Sequence, residues 1–143
     1  MTAPLVRRVA AAQATLNAVK DKPFRLGRND CARMVAGHLR RMGHKVKLPA
    51  SGSYASLRGA VKALGERGFS DLPAAMDGMG FERIAPAAAL AGDVLALPAE
   101  SPIGCLVVVL NNGRAVGFVE DVVGAAVIQP VEYVAAWRVP LAD

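Results

Sequence analysis

The sequence has few aromatic residues, two cysteines and two histidines, and these shortages exclude several classes of protein. Aromatic residues make up 5% of the 143 positions, so alanine, valine and leucine must fill most of the core. Cys31 and Cys105 are too few for a disulfide framework. Together with His38 and His44 they form no CxxC or HExxH pattern, so a four-ligand zinc site is not expected. The sequence therefore predicts a protein with no metal and no cofactor.

Long apolar runs are also missing. The longest apolar stretches, at residues 106–110 and 122–128, are far shorter than the roughly 20 residues that span a bilayer. Arg7 and Arg8 interrupt the N-terminal segment where a secretory signal would be apolar. We therefore expect no membrane insertion and a cytoplasmic origin. With 53% hydrophobic and 20% charged residues, the composition predicts one folded domain spanning residues 1–143.

Acidic residues are scarce in the first half of the chain. Residues 1–67 contain 14 lysines and arginines and three acids, whereas residues 68–143 contain three and nine. The halves therefore carry net charges of +11 and −6. A basic surface of this kind suits nucleic acid, an anionic cell-wall polymer, an acidic protein, or simply solvent or a subunit contact. The candidate basic residues are Arg7, Arg8, Arg28, Arg33, Arg40, Arg41, Lys45 and Lys47. Because no binding motif or set of stacking aromatics accompanies them, nucleic-acid binding is not favoured.

Hydrophobic periodicity predicts helices first and strands second. Helices are expected over residues 4–19 and 31–42, from Ser56 to Gly65 or Gly68, and from Ser70 or Asp71 through Met76. Strands are expected at residues 81–84, 93–97, 104–110, 114–119, 125–129 and 135–139, with a tight hairpin at 111–113. This order predicts an α+β domain with an antiparallel strand meander.

Cys31 stands at the first turn of the most regular predicted helix, which Asn29 or Asp30 can cap. Unpaired backbone N–H groups and the helix dipole favour a thiolate at this position. Cys31 also belongs to the apolar stripe of the helix, so a buried structural cysteine is the alternative. His38, in the same stripe, lies roughly 10 Å further along and is too distant to be a base for Cys31. We expect His38 to be a satisfied core residue and His44 to be solvated or in a loop contact.

The segment 23–31, PFRLGRNDC, followed by a helix, resembles the nucleophile segment of the NlpC-type cysteine peptidases. In that papain-like family an aromatic-glycine connector precedes Asp-Cys at the head of the core helix. Residues 92–95, GDVL, resemble the family's Gly-Asp-apolar strand, and residues 105–113 fall where the family has its histidine strand and glycine hairpin. The layout, including AAWRV at 135–139, is most similar to a small NlpC-related family of phage and prophage tail modules. The resemblance implies N-terminal helices packed on a C-terminal antiparallel sheet.

The sequence departs from this family at the position of the catalytic base. Cys105 stands where the family has histidine, and no histidine follows His44. A thiol, with a pKa of about 8.5 against about 6.5 for imidazole, cannot replace it. Leu26 also stands in place of tryptophan and Ala32 in place of serine. The resemblance thus implies Cys31 at the nucleophile position and Cys105 close to it, as an apolar plug or as an oxidisable pair.

The candidate binding residues lie around Cys31. They are Asp30, Arg28 and Arg33, and the arginines could hold an anion or lower the pKa of the thiol. The resemblance implies a catalytically degenerate tail-tip component of a phage or gene-transfer particle, acting in assembly or cell-wall contact. Its partners would be tail proteins and peptidoglycan, and it would pass from the cytoplasm into the virion. The alternative is an active cysteine peptidase that cleaves peptidoglycan stem peptides with Cys31 as nucleophile.

Overall fold

The computed structural model describes residues 3–48, 51–118 and 125–142. Within these ranges four α-helices are followed by a six-stranded antiparallel sheet, which confirms the predicted α+β class. The helices are α1 Pro4–Val19, α2 Cys31–Arg41, α3 Leu57–Glu66 and α4 Leu72–Gly78. The strands are β1 Glu82–Arg83, β2 Val94–Leu97, β3 Cys105–Val109, β4 Ala115–Gly117, β5 Ala126–Ile128 and β6 Ala135–Arg138. No helix in the described part of the chain is long and apolar enough to cross a membrane.

Three of the helices are preceded by a capping residue whose side chain accepts a hydrogen bond from a backbone N–H in the first turn. Asp30 caps α2, Ser56 caps α3 and Asp71 caps α4. Each of these side chains satisfies a donor that has no partner within the helix, which explains why the helices start at these positions. In α1 the capping residue, Ala3, makes no such bond, and Pro4 follows it as the first helical residue, where its missing N–H removes one unpaired donor.

The order of strands in the sheet is β1-β6-β2-β3-β4-β5, and every neighbouring pair is antiparallel. Strands β2 to β5 form the predicted meander, and β3 and β4 form the predicted hairpin, with Asn112 at a φ of +62°. The expectation of a simple meander is wrong for β6, which lies between β1 and β2. Trp137 on β6 is fully buried there, because a strand with two neighbours is covered more completely than an edge strand. The predicted end of β4 at residue 119 lies outside the described residues.

The central strands are buried on both faces. Leu106 and Val108 point to the main core shared with α1 and α2, whereas Val107 and Val109 belong to a second, smaller apolar cluster. Side chains alternate between the two faces of a strand, so β3 contributes to both clusters. This explains why its sequence is continuously apolar instead of alternating with polar residues.

An ionic cluster ties α1 to the sheet. The fully buried carboxylate of Asp93 accepts from the guanidinium of Arg8 at 2.5 Å and from the backbone N–H of Val139 at 2.9 Å. Its other oxygen accepts from Leu90 N–H at 2.8 Å and from Arg138 Nε at 2.9 Å. The sequence-based assignment of Arg8 to a basic outer surface is therefore wrong, since only 7% of this residue is exposed. A buried guanidinium requires a carboxylate, and Asp93 supplies it.

Candidate functional site

Cys31 and Cys105 line the same cleft, where the N-terminus of α2 meets the start of β3. The cleft has a volume of about 680 Å³ and a mainly apolar lining. Both thiols are free. The two acids of the lining are Asp30 and Glu100, and none of the described lining residues is a lysine, an arginine or a histidine. The structure therefore brings together the two cysteines that the sequence singled out.

The thiol of Cys31 is buried, with 8% of the residue exposed. Burial raises the pKa of this thiol to about 12, and the nearby Cys105 and Asp30 add to the increase. A backbone hydrogen bond at Leu106 acts in the opposite direction without cancelling it. Of the two alternatives for Cys31, the buried structural cysteine therefore fits better than the reactive thiolate, because desolvation outweighs the helix dipole at this depth. Cys31 carries its proton at neutral pH.

The thiol of Cys105 is half-buried at the start of β3. Burial raises its pKa as well, and its sulfur lies 4.0 Å from the carbonyl oxygen of Phe118, to which the S–H donates. A protonated thiol that donates to a carbonyl cannot accept a proton from Cys31. The side chain at the position of the expected base therefore offers no general base chemistry.

Asp30 holds the loop that precedes Cys31. One of its carboxylate oxygens accepts from the backbone N–H of Arg33, and the other accepts from Gly27 N–H at 2.9 Å and from the Tyr54 hydroxyl at 2.8 Å. Burial, together with the adjacent Asp30 carboxylate, raises the pKa of Tyr54, so the hydroxyl remains a donor. Asp30 therefore positions the first turn of α2 and forms part of the cleft wall. Sequence spacing could not identify Tyr54, which lies in a distant loop.

The other two candidate binding residues, Arg28 and Arg33, are not part of the described cleft lining. The guanidinium of Arg28 lies against Gly52 on the exposed surface. That of Arg33 lies over the ring of Tyr54, 6.0 Å from its centroid. The predicted grouping around Cys31 therefore holds for Asp30 and not for the arginines.

Both histidines of the chain lie away from the cleft lining. His38 is fully buried, and its Nε2 lies 2.8 Å from the carbonyl oxygen of Gly92, which can only accept. Nε2 therefore carries the hydrogen, and Nδ1 accepts from the Thr15 hydroxyl at 2.8 Å. This confirms His38 as a satisfied core residue. His44 is in a loop contact, with Nε2 2.6 Å from the carbonyl oxygen of Pro140 and its ring edge-on to Phe81.

We expect His38 to make the protein less stable as the pH falls from about 6.5 to about 4. Burial lowers the pKa of this imidazole to about 4, so across that interval the unfolded chain binds a proton that the folded chain does not. The loss is at most about 3 kcal/mol, since one pKa unit corresponds to about 1.4 kcal/mol. Urea unfolding at a series of pH values measures it. In His38→Gln the free energy of unfolding should depend less on pH across this interval, whereas in His44→Gln its pH dependence should be unchanged. A pH dependence in His38→Gln equal to that of the wild type would contradict the assignment.

A comparison with known families gives one match. A family model described as "Domain of unknown function (DUF6950)" matches residues 6–139. The chain belongs to this family. The DUF6950 match includes both cysteines of the cleft, Asp30 and the buried pair of Arg8 and Asp93. No protein with curated annotation matches the chain.

Proposed function

We propose that this DUF6950 chain is an NlpC-like, papain-type domain that has lost peptidase chemistry. Its role would be that of a tail-tip component of a phage or gene-transfer particle, in assembly or in contact with the cell wall. One observation supports the proposed loss of catalysis. Cys31 and Cys105 line the same cleft, and both histidines of the chain form hydrogen bonds away from it. The particle context is supported by the sequence resemblance.

The electrostatics of the cleft also argue against hydrolysis. A cysteine peptidase needs a thiolate and a base within about 3 Å of the nucleophile. Burial raises the pKa of Cys31 to about 12, so the thiol and not the thiolate is the form present at neutral pH. Desolvation is the main cause of this increase, and no described residue of the cleft lining is a histidine, lysine or arginine that could favour the thiolate.

The cleft itself remains suited to binding. Its volume of about 680 Å³ lies within the range of ligand-binding sites. Cell-wall contact through such a cleft would need no chemical step. The cleft, which Cys31 lines, also favours the second candidate. That candidate is an active peptidase with Cys31 as nucleophile, in which a partner protein or water supplies the base.

The two candidates are separated by incubating purified peptidoglycan with four proteins and measuring released fragments by mass spectrometry. The proteins are the wild type, Cys31→Ala, Cys105→His and the double variant Cys31→Ala/Cys105→His. We expect no cleavage by the wild type or by either protein with Cys31→Ala. We expect cleavage by Cys105→His, because an imidazole beside Cys31 supplies the missing base and favours the thiolate. Thermal melts of all four proteins check that each is folded.

Cleavage by the wild type that is lost in Cys31→Ala would instead establish the peptidase. A folded Cys105→His protein without activity would contradict the assignment of Cys105 to the position of the base. The particle assignment has its own test, which is mass spectrometry of purified phage or gene-transfer particles from a producing strain. We expect this chain in the particles at a fixed ratio to tail proteins, and its absence from them would refute the tail role.

A further inference from the structure

The connection between β5 and β6 exposes a short apolar segment, called here the connection patch (residues 131–134). Val131 is 86% exposed, Val134 60% and Tyr133 43%, with the exposed acid Glu132 among them. Single exposed apolar residues are common on protein surfaces, but several adjacent ones are typical of an interaction site. The connection patch thus combines apolar surface with a negative charge.

A second exposed apolar segment begins α1 and is called here the helix patch (residues 5–7). Leu5 is 58% exposed and Val6 is 57% exposed, and the exposed base Arg7 follows them. The first turn of α1 contains no acidic residue. The helix patch thus combines apolar surface with a positive charge, which is the complement of the connection patch.

The two patches lie at opposite ends of β6. In the connection patch, the N–H of Val134 donates to the carbonyl of Ala96, near the end of β2. Next to the helix patch, Arg8 donates to the carbonyl of Val139, beyond the other end of β6. The five residue-to-residue steps from Val134 to Val139 cover about 17 Å in an extended strand. Within one chain, the backbone positions that anchor the two patches are therefore about one strand length apart.

Within residues 3–48, 51–118 and 125–142, Arg7 and Glu132 form no ion pair. We propose that the connection patch of one copy binds the helix patch of a second copy, with Glu132 opposite Arg7. This occupant fits because the chain itself presents both complementary surfaces. A contact between two different patches leaves one of each free, so copies add head to tail into a ring or a filament. The inference is independent of the proposed function.

The proposal is tested by charge exchange. Self-association of the wild type, Arg7→Glu, Glu132→Lys and the double variant Arg7→Glu/Glu132→Lys is measured by sedimentation velocity at low salt. We expect concentration-dependent association of the wild type beyond the dimer. Each single variant places like charges together, and its association should weaken about tenfold or more. The double variant should associate like the wild type, because every contact then pairs a lysine with a glutamate.

Two control variants change the net charge equally outside the patches. Lys20→Glu matches Arg7→Glu, and Glu66→Lys matches Glu132→Lys; both positions are exposed, and both variants should associate like the wild type. An equimolar mixture of Arg7→Glu and Glu132→Lys should also regain association, since each contact between unlike variants pairs opposite charges. A wild type that stays monomeric into the millimolar range, or a double variant as weak as the single ones, would overturn the proposal.

Discussion

Replacing Asp93 with alanine is expected to lower the free energy of unfolding by about 3–5 kcal/mol. The carboxylate accepts from two arginines and two backbone N–H groups, and its side chain has no exposure to water. Its removal leaves the guanidinium of Arg8, 8% exposed, without a counter-charge. Domains have a total stability of about 5–15 kcal/mol, so the variant should be close to unfolding at room temperature. Urea unfolding at neutral pH, followed by circular dichroism, measures the change.

Two further variants distinguish the loss of this ionic cluster from the effect on stability of removing any charged side chain. Glu82→Ala removes an exposed acid from β1 and should change stability by less than about 0.5 kcal/mol. Arg8→Met should cost less than Asp93→Ala, because Asp93 keeps Arg138 and two backbone donors. A loss below about 1 kcal/mol for Asp93→Ala would show that the buried cluster contributes little net stability.

Replacing Gly27 with alanine is expected to lower the free energy of unfolding by about 2–4 kcal/mol. Gly27 has a φ of +81°, and a Cβ there would overlap the carbonyl oxygen of Tyr54. The backbone strain accounts for about 1–2 kcal/mol. The overlap accounts for the rest, because it pushes away the residue whose hydroxyl donates to Asp30. The damage should therefore extend to the loop that holds Cys31.

Two glycines outside the site provide matched controls in the same unfolding measurement. Gly68 has a φ of +85° and no atom near its missing Cβ, so Gly68→Ala measures the backbone strain alone, about 1–2 kcal/mol. Gly65 lies within α3 with open space around it, and Gly65→Ala should stabilise the protein by about 0.5–1 kcal/mol. If Gly27→Ala cost no more than Gly68→Ala, the contact with Tyr54 would not matter for stability.

Local patterns were sufficient to predict most of the elements. The spacing from Cys31 to Met42 predicted α2 because an amphipathic helix repeats every 3.6 residues. The change to continuous apolar segments predicted the strands, and the run Asn111-Asn112-Gly113, in which Asn112 and Gly113 adopt a positive φ, predicted the hairpin. These features are determined by residues only a few positions apart, so they can be recognised in a single sequence.

The remaining features depend on distant neighbours. The position of β6 between β1 and β2 is set by packing around Trp137, and no local pattern specifies it. Arg8 looked like a surface base because its partner, Asp93, is 85 residues away. The choice between a reactive and a structural Cys31 stayed open for the same reason, since the residues that share its cleft include Cys105 and Phe118, which are distant in the sequence.

The hydrogen bond between Arg8 and the carbonyl of Val139 joins positions 131 residues apart. During translation, α1 therefore leaves the ribosome long before its acceptors on the sheet exist. The ionic cluster is complete only once residue 139 has emerged, because Asp93 also accepts from the N–H of that residue. Contacts this distant in sequence slow folding and leave apolar surface exposed meanwhile. The anchoring of α1 to the end of β6 is thus a late event in the formation of this domain.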